Sequence, residues 1–223
     1  MKDFGKALKL YLKISFNPLL TIFGTVIIVA MMIAAVTSPE TPDSDDYMSM
    51  VGSVGFGQIG IVVILLMGSV SIARSKFYSS TPFAKTFVTV VPLFCAVVAA
   101  LIYDIIMITI AALCWCEQGL SDLLIIAPIN NFIVGLAVAC AGKPKLECLY
   151  IIPFVVLAWE SIVLKNISAT AHGFGLPVTV SAVIGVLIFV VGIAVTLAIM
   201  NIWWKKCDHT RSTNYTYRNP EVF

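Results

Sequence analysis

The sequence predicts an all-α integral membrane protein, a polytopic bundle of about six transmembrane helices that follows an amphipathic N-terminal helix. Of its 223 residues, 60% are hydrophobic and only 12% are charged, and the mean hydropathy is +1.00. The apolar residues come in runs close to the about 20 residues that cross a bilayer as a helix. A soluble domain carries about 25% charged residues, so lipid is the expected solvent of most of this chain.

Residues 1–17 are predicted to form an interfacial helix. On a helix, which turns by about 100° per residue, the side chains of this segment fall on two opposite faces. One face carries Lys2, Lys6, Lys9 and Lys13, and the other carries Phe4, Ala7, Leu8, Tyr11 and Ser15. We expect the apolar face to lie in the inner leaflet until Asn17 and Pro18 turn the chain into the first span. The lysines are either a flank that sets topology or part of an elbow helix that transmits force from a cytoplasmic partner.

The transmembrane domain is predicted over residues 18–204, and residues 205–223 form a cytoplasmic tail. Six apolar runs define the spans: Leu19–Val36, Ile59–Ala73, Phe87–Cys114, Leu123–Ala141, Leu149–Leu164 and Val178–Trp204. The fourth run is interrupted by Pro128, Asn130 and Asn131. A broken or re-entrant helix that faces protein is therefore an alternative for this run.

The distribution of charge predicts the orientation of the spans. Cations flank the predicted cytoplasmic ends: Lys2, Lys6, Lys9, Lys13, Arg74, Lys76, Lys85, Lys143, Lys145, Lys205, Lys206, Arg211 and Arg218. The opposite connections carry mostly acids, from Glu40 to Asp46 and then Glu117 and Asp122, with Lys165 as their single cation. By the positive-inside rule both termini are cytoplasmic in a multi-pass protein of the cell membrane. A five-span arrangement would put the termini on opposite sides and conflicts with this pattern.

No residue pattern of a soluble catalytic site is present. Gly135 and Gly142-Lys143 are spaced wrongly for a phosphate-binding loop, and Pro144 stands where Ser or Thr is needed. The two histidines, His172 and His209, fall on opposite sides of the predicted membrane. We therefore expect no catalytic residue, no metal and no cofactor in this chain, and no nucleic acid partner.

Polar residues inside the predicted spans are the candidates for a substrate pathway. Asp104 lies in the third span and Glu160 near the outer end of the fifth, and a charge in hydrocarbon is costly enough to suggest a function. Asn130 and Asn131 join them as pathway candidates. The alternatives are an interfacial Glu160 and interhelical hydrogen bonds made by the two asparagines and by Gln58.

The connection between the second and third spans, Ala73 to Lys85, combines cations and aromatic residues. Thr81 is a natural N-cap before a first-turn Pro82, so one helix is expected to end near Ser79 and another to begin at Pro82. This segment resembles the permease subunits of type-2 ATP-binding-cassette exporters, in which a basic stretch leads into a Ser-x-Pro-like turn. The matching positions are Ser80, Pro82 and Lys85. The six-span plan, the interfacial helix and the cytoplasmic termini agree with the same family.

The resemblance implies a permease without its own nucleotide site. Such a subunit pairs with a second six-span permease, as a homodimer or heterodimer, and rests on separate cytoplasmic ATPase subunits that use ATP and Mg. The residues implied to couple the ATPase to the spans are Arg74, Lys76, Phe77, Tyr78, Pro82, Phe83 and Lys85. The expected substrate is hydrophobic or amphipathic, such as a peptide, drug or lipid. The short connection from Lys165 to Leu176 departs from relatives that carry large outer domains.

Three other functions fit a chain of this composition. A substrate-binding component of an energy-coupling-factor importer also has about six spans in a similar length. A scaffold needs neither a polar pathway nor an ATPase partner. An intramembrane enzyme requires the carboxyl groups of Asp104 and Glu160 to converge.

Overall fold

The computed structural model describes residues 2–37, 47–74, 84–141, 151–152, 155–157, 159 and 173–206. These ranges contain seven helices of five residues or more: α1 (Lys2–Ser15), α2 (Pro18–Thr37), α3 (Tyr47–Arg74), α4 (Ala84–Val88), α5 (Val90–Cys114), α6 (Glu117–Ala141) and α7 (Val178–Lys206). No strand occurs in the same ranges. The prediction of an all-α polytopic bundle is confirmed.

Within the described ranges, five stretches of helix are long and apolar enough to cross a membrane. They are Pro18–Thr37, Val54–Ser71, Ala84–Cys114, Glu117–Ala141 and Val178–Trp203. Each corresponds to a predicted span, and α3 and α6 begin earlier than the hydropathy of the sequence indicated. Most of the remaining predicted span, Leu149–Leu164, lies outside the described residues. The residues of this range that the structure does describe, 151–152, 155–157 and 159, are helical.

The last two described spans, α6 and α7, run parallel to each other. Ser121 lies beside Ser181, Gly135 lies beside Thr196, and Ala139 shares an apolar cluster with Met200. Residue numbers thus rise together along both helices. Both helices therefore begin at one end of the bundle and end at the other.

The bundle has two ends that the contacts distinguish. At the first, Phe4 of α1 packs edge-on against Phe94 at the start of α5, with ring centroids 5.4 Å apart. The C-terminal ends of α6 and α7 lie at this same end of the bundle, since Ala139 of α6 and Met200 of α7 share an apolar cluster with Leu93 of α5. At the opposite end the indole nitrogen of Trp115 donates to the carbonyl oxygen of Ala35 over 2.8 Å. Which compartment the α1 end faces stays a prediction of the charge pattern.

Helix α6 is continuous through Pro128, so the alternative of a broken fourth span is wrong for the described chain. Proline has no N–H and therefore leaves the carbonyl oxygen four residues earlier, that of Leu124, without its helical donor. Gly185 of α7 approaches this oxygen so closely that a Cβ on it would stand 2.2 Å away. The neighbouring helix therefore covers the break in the hydrogen-bond ladder, which keeps it out of contact with lipid.

Helix α1 separates its lysines from its apolar side chains, as predicted, but the apolar face contacts protein. Ala7 and Tyr11 are fully buried and Ser15 is 4% exposed, whereas Lys6, Lys9 and Lys13 are exposed. The covering residues come from α3, α4 and α5. The sequence placed this face in lipid because helical periodicity reports a buried side but not what buries it.

The junction of α1 and α2 follows the sequence prediction. The Asn17 side-chain oxygen accepts from the backbone N–H groups of Leu19, at 3.1 Å, and Leu20, at 3.3 Å. It therefore caps α2, and Pro18 occupies the first helical position, where a missing N–H costs nothing. The chain turns here from α1 into the first span.

Candidate functional site

Asp104 lies in the interior of the bundle. It is the fifteenth of the 25 residues of α5, and its side chain is only 4% exposed. The helices packed around this level are α3 and α6. Each of them contributes one amide side chain, and together with Asp104 these residues form the polar cluster Gln58, Asp104 and Asn131.

Hydrogen bonds join all three members of the polar cluster. The Gln58 Nε2 donates to Asp104 Oδ1 over 2.9 Å, and the Asn131 Nδ2 donates to Asp104 Oδ2 over 2.5 Å. The Gln58 Nε2 also lies 3.3 Å from Asn131 Oδ1. Both carboxylate oxygens therefore accept a hydrogen bond, and each bond links α5 to a different helix.

Close packing of α3 against α5 brings Gln58 to the carboxylate. The Tyr103 hydroxyl donates to the carbonyl oxygen of Val54, one turn before Gln58, over 3.2 Å. Gly57 lies against the same tyrosine, since a Cβ on it would stand 2.0 Å from the hydroxyl oxygen. The glycine therefore provides the space in which Tyr103 anchors α5 to α3, and the next residue, Gln58, faces Asp104.

No cation pairs with Asp104 in the part of the chain that the structure describes. Among the described residues, its two carboxyl oxygens accept hydrogen bonds from two amide groups. A carboxylate in a low-dielectric interior is costly without a partner ion, and a merely structural residue at this place would be expected to be apolar. The absence of an ion pair makes Asp104 the best candidate for a functional group in the described chain.

Two polar groups near the cluster lack a partner among the described residues. The Gln58 Oε1 is buried and accepts no hydrogen bond, and neither side-chain atom of Asn130 makes one. Both side chains are fully buried. Asn131 thus belongs to the cluster through a direct bond, whereas Asn130, its neighbour in sequence, does not.

Of the remaining candidate residues from the sequence, the structure describes two. Lys85 is described and exposed on α4, and Arg74 is the last residue of α3. The other candidates lie outside the described residues: Lys76, Phe77, Tyr78, Pro82, Phe83 and Glu160. A convergence of Asp104 and Glu160, on which the enzyme alternative depends, is therefore not tested by the fold.

A second buried acid, Asp122, escaped the sequence analysis. It was placed in an outer connection, but α6 begins at Glu117, and Asp122 is 0% exposed in its second turn. Its Oδ1 accepts from the Gln118 side chain and from the backbone N–H of Phe174, each over 3.0 Å. The signal in the sequence was the position of Asp122 between apolar Leu120 and Leu123, which is unusual for a free loop.

Asp122 belongs to a set of contacts that attach the chain before α7 to α6. Gly173 adopts φ 77°, and a Cβ on it would stand 2.1 Å from Asp122 Oδ2. The Ser121 hydroxyl donates to the carbonyl oxygen of Leu176 over 2.6 Å and lies 2.6 Å from the Ser181 hydroxyl. Among the described residues, these contacts tie the chain before α7 to the first turns of α6.

Tyr11 holds α1 to α3 at the other end of the bundle. Its hydroxyl donates to the carbonyl oxygen of Leu65 over 3.3 Å and lies 3.0 Å from the Ser69 hydroxyl. Burial raises the pKa of Tyr11 to about 12, so the phenol remains neutral and able to donate at physiological pH. Beside it Ser15 fits against Gly68, where a Cβ would stand 1.8 Å from the serine oxygen.

The described residues contain no group of three or more His, Cys, Asp or Glu side chains that could hold a metal ion. Comparisons of the chain with protein-family models, with curated proteins and with solved structures find no match.

Proposed function

We propose that this chain is the membrane-spanning permease subunit of an ATP-driven exporter. It works with a separate cytoplasmic ATPase to move a hydrophobic or amphipathic substrate such as a peptide, drug or lipid. The proposal depends on how the helices that flank residues 75–83 are connected to the polar cluster. That segment, with Arg74 before it and Lys85 after it, is the one that resembles the coupling region of type-2 exporters.

The helices on both sides of this segment are clamped by α1. Tyr11 contacts α3 at Leu65 and Ser69, within three turns of its end at Arg74. Phe4 packs on Phe94, in the first turns of α5. Force applied between α3 and α4 would therefore move α1, α3 and α5 as neighbouring packed bodies, in agreement with an elbow helix.

Helices α3 and α5 share the central hydrogen bond of the bundle, in which Gln58 on α3 and Asp104 on α5 are joined over 2.9 Å. Helix α3 ends at Arg74, before residues 75–83, and α5 follows them after the short helix α4. A displacement of α3 relative to α5 would change the length and angle of this bond. It would thereby weaken the bond, because a hydrogen bond is strong only within a narrow range of distance and angle. This connection from the coupling segment to a buried charge is the observation that carries the proposal.

Substrate is proposed to pass at the interface between two permease subunits. The cavity bordered by Asn131 between α5, α6 and α7 has a volume of only about 10 Å³, far below the about 300–1,000 Å³ of small-molecule sites. The outward faces of α2 and α7 are apolar, with Leu19 73% and Val186 63% exposed. These faces are suited to lipid or to a second six-span subunit, as homodimer or heterodimer.

A double substitution tests the coupling segment. Tyr78→Ala with Phe83→Ala removes two aromatic anchors and keeps every charge that sets topology. We expect the chain to insert normally, while a copurifying ATPase dissociates or its turnover no longer depends on transport. Phe16→Ala is the control, because Phe16 is a 67% exposed aromatic residue at the α1 end outside the segment. A double variant that keeps a fully coupled ATPase would contradict the proposal.

A further inference from the structure

The polar cluster is built so that it can satisfy either protonation state of one carboxyl group. We propose that Asp104 is a proton-binding site and that the bundle takes up and releases a proton at this group during its working cycle. This inference does not depend on an ATPase partner, since every group involved belongs to this chain.

The ionised state is the one whose hydrogen bonds the structure displays. The Gln58 and Asn131 amides each direct an N–H group at one oxygen of Asp104. A carboxylate has only acceptor sites and is satisfied by such donors. Bonds to a charged acceptor are also about twice as strong as neutral ones, so this state holds α3, α5 and α6 together firmly.

The neutral state needs an acceptor for the new O–H group, and one is at hand. The Gln58 Oε1 is buried with no partner among the described residues, and it is bonded to the same carbon as the Nε2 that contacts Asp104. A half-turn of the terminal amide exchanges the two atoms with almost no change of shape. After a proton binds to Oδ1, the Asp104 O–H donates to Gln58 Oε1, while Asn131 continues to donate to Oδ2. The half-turn gives up the contacts of Gln58 Nε2 with Asp104 Oδ1 and with Asn131 Oδ1.

The surroundings favour a proton over a metal cation. The three side chains are in direct hydrogen-bond contact at 2.5–3.3 Å, so an ion would have to push them apart, whereas a proton occupies no space. Helix α3 contacts the carboxylate through Gln58 and α6 contacts it through Asn131. Neither of these amide side chains titrates. On α5 itself the nearest titratable group is Tyr103, whose hydroxyl is engaged by the Val54 carbonyl.

Protonation would change how firmly the helices are joined. Loss of the negative charge replaces two charge-assisted bonds by neutral ones, which are weaker. The links from α5 to α3 and to α6 loosen together, because both meet at the same carboxyl group. Proton uptake is thereby coupled to relative movement of the three helices, as a cation-coupled conformational cycle requires.

Infrared titration of the purified full chain in lipid tests the site. With ¹³C-labelled aspartate, we expect a carboxylic acid C=O band that appears on acidification and vanishes in mild alkali. The band should be absent in Asp104→Asn. Gln58→Leu, which keeps Asp104 but removes the acceptor, should shift the frequency of the band and the midpoint of its titration, so the assignment holds even if Asp104→Asn fails to fold. Ile105→Val, at a 61% exposed position next to Asp104 on α5, is the matched control and should change neither.

Two results would overturn the proposal. One is a labelled aspartate spectrum that keeps a single protonation state at Asp104 across the range of pH in which the protein stays folded. The other is a titration midpoint that moves with Na⁺ concentration at constant ionic strength, which would identify a metal cation as the ligand. A positive titration in a chain that binds no ATPase would leave the proton site intact and remove only the exporter function.

Discussion

Asp104 on α5 and Gln58 on α3 are joined by a hydrogen bond of 2.9 Å, although 46 residues separate them along the chain. At the adjacent position Tyr103 reaches the backbone of α3 at Val54. These two bonds fix the rotation of α5 about its own axis, so that its one acidic side chain faces inward. Substitutions at this contact therefore test both the packing and the function.

Replacing Asp104 by Asn removes the charge and keeps the shape. We expect normal expression and assembly but a loss of transport of about tenfold or more, because the amide keeps the shape of the side chain but cannot be an ionised acid. Asp104→Leu should instead lower stability, since it leaves two buried amides without an acceptor. Transport assays in reconstituted vesicles separate the two variants. Unchanged transport in Asp104→Asn would return the residue to a structural role.

The crossing of α2 and α3 depends on two glycines. A Cβ on Gly60 would stand 2.5 Å from the carbonyl oxygen of Gly24, and one on Gly24 would stand 2.6 Å from that of Gly60. Because the obstacle is backbone, Gly60→Ala must push the helices apart, and we expect a loss of ~1–3 kcal/mol. Gly5→Ala on α1 is the control, since nothing lies within 4 Å of the added Cβ. Thermal unfolding in detergent should show a lower Tm for Gly60→Ala alone.

Docking of α1 is predicted to depend on the Tyr11 hydroxyl. Tyr11→Phe keeps the buried ring and removes the contacts to Leu65 and Ser69, at a cost of about 1 kcal/mol. Amide hydrogen exchange along α1 should become faster. Leu12→Ala, at a 51% exposed position one residue away, should leave the exchange rates nearly unchanged. Equal acceleration in both variants would point to helix propensity rather than docking.

The same contact has a predictable pH dependence. Burial raises the pKa of Tyr11 from 10.0 to about 12, so the docked state favours the neutral phenol. The stabilisation is fully present below pH 10, the pKa of an undocked tyrosine, and is lost as the pH rises towards about 12. Hydrogen exchange of wild-type α1, corrected for the intrinsic alkaline rate, should accelerate over this window. Tyr11→Phe should lack that component.

Substitutions at two nearby glycines can distinguish the cost of a strained backbone from the cost of a clash with Asp122. Gly173 and Gly175 both have positive φ, at 77° and 64°, but only Gly173 lies against the carboxylate. Gly175→Ala should therefore cost about 1 kcal/mol for the left-handed backbone alone. Gly173→Ala should cost more, because the Asp122 side chain must also move. Similar losses of Tm in the two variants would show that the contact contributes little.

The orientation of the bundle can be tested with exposed residues at its two ends. In a variant without native cysteines, Glu117→Cys should react with a membrane-impermeant maleimide in intact cells. Lys9→Cys should react only after permeabilisation. The reason is the excess of Lys and Arg at the α1 end, which the positive-inside rule places in the cytoplasm. Labelling of Lys9→Cys in intact cells would reverse the predicted topology.

Much of this architecture could be predicted from the sequence, because lipid and water act on each segment by itself. A run of apolar residues such as Pro18–Thr37 must be helical in a bilayer, where its backbone can be satisfied only internally. The lysine spacing of α1 and the Asn17 cap are likewise local patterns. These properties need no knowledge of neighbouring helices, and the structure agrees with each of them.

The partners of the buried groups were decided by tertiary structure alone. Asp104 finds one amide 46 residues before it and another 27 residues after it, and only the rotation and adjacency of α3, α5 and α6 bring them together. Asp122 is buried because the chain at Gly173 and Phe174 folds over it. The apolar face of α1 meets protein because α3 offers Gly68 there. Hydropathy specifies which side chains leave water, but packing between helices specifies what each of them touches.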